Sequence, residues 1–179
     1  MGRLSGLTVS QLIADVIQRE GGFVDNPHDK GGPTNFGITR ATLAGWRHRA
    51  VTVDEVRHLT QSEAVTIYKT VYYIKSNICL LPDLVQPIVF DMSVNMGVVA
   101  GVKVLQAVVS KLGLATVQDG RISGKTIQSC LVACNVHGQD VVNELVKARC
   151  AFYQDLVAND PEQHVFLSGW LNRARYFLA

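Results

Sequence analysis

Apolar residues recur at helical spacing along most of this chain. Val9, Leu12, Ile13, Val16 and Ile17 form one stripe, introduced by Thr8-x-x-Gln11, a pattern in which each side chain can bond the other residue's backbone N–H. A helix is therefore predicted from about residue 9, stopped by the pair Gly21-Gly22. One more step of three along the stripe lands on Glu20. A carboxyl thus closes the apolar face at the helix end. Helices are also expected from Thr39 to Trp46, after Thr52-x-x-Glu55, and after Thr60-x-x-Glu63 with Ala64, Ile67, Tyr68 and Val71 inward. Pro82 or Asp83 should open the next and Gly97 end it, and Val98–Leu112 should follow. Ser123 should cap a helix to Cys134 or Val136, Gln139–Ala158 is the longest candidate, and Pro161 opens a last pair of short helices.

Residues 21–38 break the pattern. Five glycines and two prolines fall in this stretch, which reads as a long irregular loop or small hairpin. Ordered loops of that length tend to carry function. The fold class is accordingly all-α and mainly helical, with a small irregular or hairpin segment around 21–38.

Composition narrows the field. Hydrophobic residues make up 47% of the 179 and charged residues 18%, enough apolar surface to offset the entropy of folding, so disorder is excluded. A net charge of +2 with no basic run argues against a nucleic-acid partner. The most apolar stretch, 87–109, is broken by Asp91, Asn95, Lys103 and Gln106, so no stable membrane insertion is expected. The first twenty residues lack the continuous apolar core of a secretory signal, and the chain is expected to stay in the cytosol after synthesis. Cys79, Cys130, Cys134 and Cys150 sit in apolar or helical runs and read as small core residues; a metal at Cys130, Cys134 and His137 is the weaker reading.

The chemistry concentrates at 20–39. Glu20, on an apolar face, should be partly desolvated, and desolvation favours the protonated carboxyl that a general acid requires. Asp29 lies among glycines beside Lys30 and should stay ionised. Two carboxyls in contrasting surroundings are the pattern of glycosidases. Thr34 offers a hydroxyl that can help Asp29 hold a water. Spacing alone leaves room for Glu20 as an ordinary helix-end residue and Asp29 as a turn former, and Asp15, Asp25 and Asp91 stand as other candidate acids.

The ordered string from Glu20 through Gly21-Gly22-Phe23, Asp29, Gly31-Gly32-Pro33-Thr34 and Gly37-Ile38-Thr39 closely resembles the signature of glycoside hydrolase family 108, the N-acetylmuramidases and lysozyme-type phage endolysins. Tyr68, Tyr72, Leu81-Pro82 and Phe90-Asp91-x-x-Val94-Asn95-x-Gly97 are similar to that family's core. Asp119-Gly120-Arg121-Ile122-Ser123-Gly124-Lys125-Thr126 resembles its peptidoglycan-binding C-terminal region, and Gly169-Trp170-Leu171-Asn172-Arg173 its terminal motif. The resemblance implies Glu20 as catalytic acid, with Asp29 and Thr34 positioning a water. The order Glu20-x8-Asp29-x4-Thr34 is similar to the Glu-Asp-Thr triad of phage-type lysozymes, one residue shorter before the threonine.

The resemblance further implies a lysozyme-like fold, with a catalytic muramidase region at 1–95 and a helical peptidoglycan-binding-like region at 96–179, packed as one compact unit. Tyr72, Tyr73 and Trp46 are candidates to stack on sugars and Asn95 to bond an acetamido group; Tyr72 and Asn95 are taken as the substrate-binding pair. The chemistry needs no metal or organic cofactor. Peptidoglycan is the expected partner. A wall-cutting enzyme without an export signal suits a phage endolysin that waits in the host cytoplasm and reaches the periplasm through a holin-type pore. A lytic transglycosylase and a non-catalytic wall-binding or secretion-assisting protein remain the alternatives.

Overall fold

The computed structural model describes residues 8–25 and 32–178. These fall into two compact units, 8–75 and 76–178. The fold is mainly helical and lysozyme-like, with one small two-stranded sheet.

In the first unit, α1 spans Val9–Glu20 and buries Leu12, Ile13, Val16 and Ile17. Both halves of its N-terminal cap form, with the Thr8 N–H donating to Gln11 Oε1 at 2.8 Å and the Gln11 N–H to Thr8 Oγ1 at 3.3 Å. Gly21 takes φ +71° and ends the helix, its N–H still donating to the Ile17 carbonyl. The chain then returns as a hairpin of β1 (Thr34–Asn35) and β2 (Ile38–Thr39), with Thr34 opposite Thr39 and Asn35 opposite Ile38. Three short helices follow: α2 (Arg40–Arg47), α3 (Val53–Arg57) and α4 (Gln61–Ile67). Thr39, Thr52 and Thr60 each cap one of them, as their positions predict.

Two local features depart from expectation. The Thr60 cap lacks its reciprocal half, because the Glu63 carboxylate is taken by Arg47, whose Nε and Nη2 approach its two oxygens at 3.1 and 2.8 Å. A two-pronged guanidinium outcompetes a single backbone N–H. Beyond α4 the helix widens over Tyr68–Ile74 into a π-helical stretch, closed by the Lys75 N–H donating to the Thr70 carbonyl at 2.9 Å. Segments of this kind recur at functional sites.

The second unit is built from longer helices: α5 (Gln86–Met96), α6 (Val98–Lys111), α7 (Gly124–His137), α8 (Asp140–Asn159) and α9 (His164–Arg175). α5 begins later than Pro82 or Asp83, because the Pro82 carbonyl accepts the N–H groups of Val85 and Gln86 in a turn before the helix proper. Gly101 lets α6 approach α5 closely; a Cβ there would lie 3.1 Å from the Ser93 nitrogen. Gln106, fully buried, donates to Asp119 Oδ1 and the Arg121 carbonyl and accepts from the Gly120 N–H, so the Asp119-Gly120 motif is a turn clasped to α6. All four cysteines are free thiols. The bond to Cys134, and then burial, push the Cys130 thiol up, while Cys134 is drawn down by its bond to Cys130. No helix among the described residues is long and apolar enough to cross a membrane.

Candidate active site

The site predicted at 20–39 is organised by the hairpin. Its two-residue loop is Phe36-Gly37, and both residues lie at positive φ, +51° and +73°. Two-residue hairpins favour such mirror-image turns, because their twist matches that of the strands. Glycine adopts this backbone freely, whereas a phenylalanine there is an outlier that the surroundings must hold in place.

Three contacts hold it. Asn35, buried at the turn's entry, donates through Nδ2 to the carbonyls of Val56 at 3.0 Å and Arg57 at 2.9 Å, with that of Leu59 at 3.4 Å. Val56 and Arg57 close α3 and Leu59 lies just beyond it; the Val56 carbonyl also accepts the Leu59 N–H at 3.2 Å. Tyr68, fully buried, donates its hydroxyl to the Phe36 carbonyl at 2.8 Å. On the other side, Thr34 and Val24 exchange backbone bonds of 2.8 and 2.9 Å, tying β1 to the segment that leaves Glu20.

Glu20 comes up against this turn. A Cβ at Gly37 would lie 2.8 Å from Glu20 Cγ, 3.1 Å from Glu20 Cβ and 2.7 Å from the Tyr68 hydroxyl oxygen. The Glu20 side chain, the bare face of Gly37 and the phenol of Tyr68 therefore share one small volume. Glu20 is half-buried, so a substrate can still reach its carboxyl. The Tyr72 ring leans on that of Tyr68, centroids 5.3 Å apart and planes at 42°. Further out, the Arg57 guanidinium sits 4.1 Å from the Phe23 ring centroid.

Of the residues singled out from the sequence, Glu20, Thr34, Tyr72, Tyr73, Trp46 and Asp15 lie in this unit, all half-buried, as does Asp25, which is exposed. Asp29 lies outside the described residues. Asn95 belongs to α5 in the other unit, where its Oδ1 accepts the Tyr153 hydroxyl proton. Asp91, weighed as an acid, is 1% exposed and flanked by two guanidiniums. Arg149 Nη2 is 2.8 Å from its Oδ2, and Arg173 Nη2 is 3.1 Å from its Oδ1. That setting makes Asp91 a buried structural counter-ion. Trp170, stacked on Tyr153 at 5.1 Å and 25°, extends the same network.

What the sequence does not reveal is the part played by Asn35, Gly37 and Tyr68. Gly37 and Tyr68 fall in the strings that resemble the family, and the run Asn35-Phe36-Gly37, a turn-forming Asn and Gly around an aromatic, signals the turn, but nothing local signals the Tyr68 bond to it.

Comparison with known proteins supplies the context. Residues 13–97 match the family model described as glycosyl hydrolase 108, and residues 100–175 match one described as a predicted peptidoglycan domain. A solved structure of Brucella abortus SagA shares 34% identity with this chain, covering 94% of each chain with a TM-score of 0.75. No curated protein matches.

Proposed function

The chain belongs to the glycosyl hydrolase 108 family, and on that premise we propose that it hydrolyses the β-1,4 bond between N-acetylmuramic acid and N-acetylglucosamine in peptidoglycan. The observation that carries the reading is the placement of Glu20: a half-buried carboxyl at a helix end, pressed against a strained turn. Glu20 acts as general acid. Its proton passes to the glycosidic oxygen as the C–O bond breaks and the sugar takes on oxocarbenium character. Asp29 accepts a proton from a water on the opposite face, Thr34 helps hold that water, and its oxygen forms the new bond to the anomeric carbon with inversion. Tyr72 lines the glycan path, and Asn95 bonds an acetamido group when the wall polymer is engaged.

Residues 1–95 carry the catalysis and residues 96–179 hold peptidoglycan, in accord with the two family descriptions. The biological role we assign is that of a phage endolysin, held in the host cytoplasm and admitted to the wall through a holin-type pore. Co-expression with a holin should turn silent accumulation into abrupt lysis; lysis at the same rate without one would refute that role.

Mass spectrometry of digested peptidoglycan tests the reaction itself. Hydrolysis leaves reducing N-acetylmuramic acid ends, each heavier by one water than the anhydro ends of a transglycosylase. Anhydro products would replace this mechanism with intramolecular attack, and undigested sacculi at every pH from 5 to 8 would favour a wall-binding protein.

A further inference from the structure

The catalytic reading leaves unexplained why a fully buried tyrosine hydroxyl and a glycine at φ +73° meet at the flank of Glu20. We propose that Gly37 and Tyr68 are positioning residues for Glu20: the Phe36-Gly37 turn, locked by the Tyr68 hydroxyl, is the surface that fixes the rotamer of the acid. This rests on Glu20 being the acid, as argued above.

The argument is one of space and bonding. Glu20 is the last residue of α1, and the chain leaves the helix immediately at Gly21. The Phe36-Gly37 turn lies against its side chain. The space a Cβ would take at Gly37 is already taken by Glu20 Cγ and the Tyr68 oxygen, at 2.8 and 2.7 Å, closer than real Cβ atoms come to their neighbours. Placed end to end, the two contacts put that oxygen within about 5.5 Å of Glu20 Cγ. An alanine at 37 must displace one or both.

Tyr68 determines where the turn itself stands. Its one hydroxyl proton goes to the Phe36 carbonyl at 2.8 Å, across a separation of 32 residues, so the turn is pinned to the start of the π-helical stretch. Asn35 pins its other end to α3. Two residues at positive φ, one of them a phenylalanine, are thus clamped from both sides. The clamped backbone gives Glu20 a fixed neighbour. Close positioning is what proton transfer to a leaving oxygen needs, since displacing a catalytic group by about 1 Å can cost a factor of about 100.

The test compares three variants on soluble muramyl oligosaccharides. Gly37→Ala adds the Cβ. Gly37→Asn adds it in a residue that tolerates positive φ, so backbone strain is reduced while the intrusion remains. Tyr68→Phe removes only the hydroxyl. Gly113→Ala is the control, since Gly113 also has positive φ (+85°) but nothing within 4 Å of its missing Cβ, and it lies in the other unit. The expected result is a fall in kcat of about 100-fold for whichever Gly37 variant folds and about 10-fold for Tyr68→Phe, with KM within about twofold of wild type. The control should keep wild-type kcat.

If Tyr68→Phe and a folded Gly37 variant keep kcat within twofold, or raise KM at constant kcat, the positioning role is wrong. Should both Gly37 variants fail to fold, Tyr68→Phe alone decides. Glu20→Gln, run alongside, separates the two levels: an active Glu20→Gln overturns the acid assignment, whereas an inactive Glu20→Gln beside fully active Gly37 and Tyr68 variants overturns only this inference.

Discussion

The two units differ in the polar groups they bury. In 8–75 the buried donors Asn35 and Tyr68 are neutral, and both serve backbone carbonyls around a strained turn. In 76–178 buried neutral groups such as Gln106 are joined by charged ones: Asp91 lies between Arg149 and Arg173, and Arg149 also donates through Nε to the Tyr153 hydroxyl at 3.0 Å. Neutral donors can hold an irregular backbone without adding a charge beside the proposed acid. A buried ion cluster suits helix packing, because it joins α5, α8 and α9 at one point and tolerates no other register. The same need to satisfy buried polar atoms thus serves placement in one unit and assembly in the other.

The sharpest way to break this comparison is to remove the centre of the ion cluster. Asp91→Ala leaves the fully buried Arg149 guanidinium without its carboxylate, and the loss should be about 3–5 kcal/mol in denaturant titration. A change below about 1 kcal/mol would mean that the cluster is not what joins those helices. Asn35→Ala should cost less, about 1–3 kcal/mol, since it leaves neutral carbonyls rather than a charge unsatisfied. It should nevertheless lower kcat, because the turn loses one of its pins; a wild-type kcat would contradict the clamped hairpin.

The smallest effect belongs to the surface. The Arg49 side chain and the Thr52 backbone N–H pull Glu55 down to about 2, from an ordinary 4.5. Lys111 and Lys147 do the same to Glu144. Both carboxyls are therefore easier to ionise folded than unfolded, so their stabilisation is full above pH 4.5 and is lost as the pH falls towards 2. Both pairs face solvent, and the contribution is correspondingly small and screened by salt. Acid titration of Glu55→Gln and Glu144→Gln should flatten the stability profile slightly between those limits; an unchanged profile would show that the pairs contribute nothing.

How much of this was legible in the sequence follows from the range of each interaction. Helix α1, its Thr8 cap and the placement of Glu20 at its end depend on residues within one or two turns, and the pattern of apolar positions contains them. So does the hairpin in the glycine-rich stretch, where local backbone freedom decides. The Glu63 cap half was misread because its competitor, Arg47, sits on another helix. Asp91 looked like a spare acid in an apolar run for the same reason: its two guanidiniums come from helices far along the chain. The pairing of Tyr68 with the Phe36 carbonyl and the pressure of Gly37 on Glu20 are visible only once distant segments are brought together. Tyr68 fits an ordinary core stripe until its hydroxyl is followed to its acceptor.

The central claim is that Glu20, held against the Phe36-Gly37 turn, supplies the proton for glycosidic cleavage. The most direct measurement is the rate of reducing-end release from purified sacculi by Glu20→Gln, beside wild-type protein with a matching circular dichroism spectrum and thermal midpoint. Removing a general acid of this kind should slow release by about 10²–10⁴-fold while leaving the fold unchanged. Release at a rate comparable to wild type from a folded Glu20→Gln protein would contradict it.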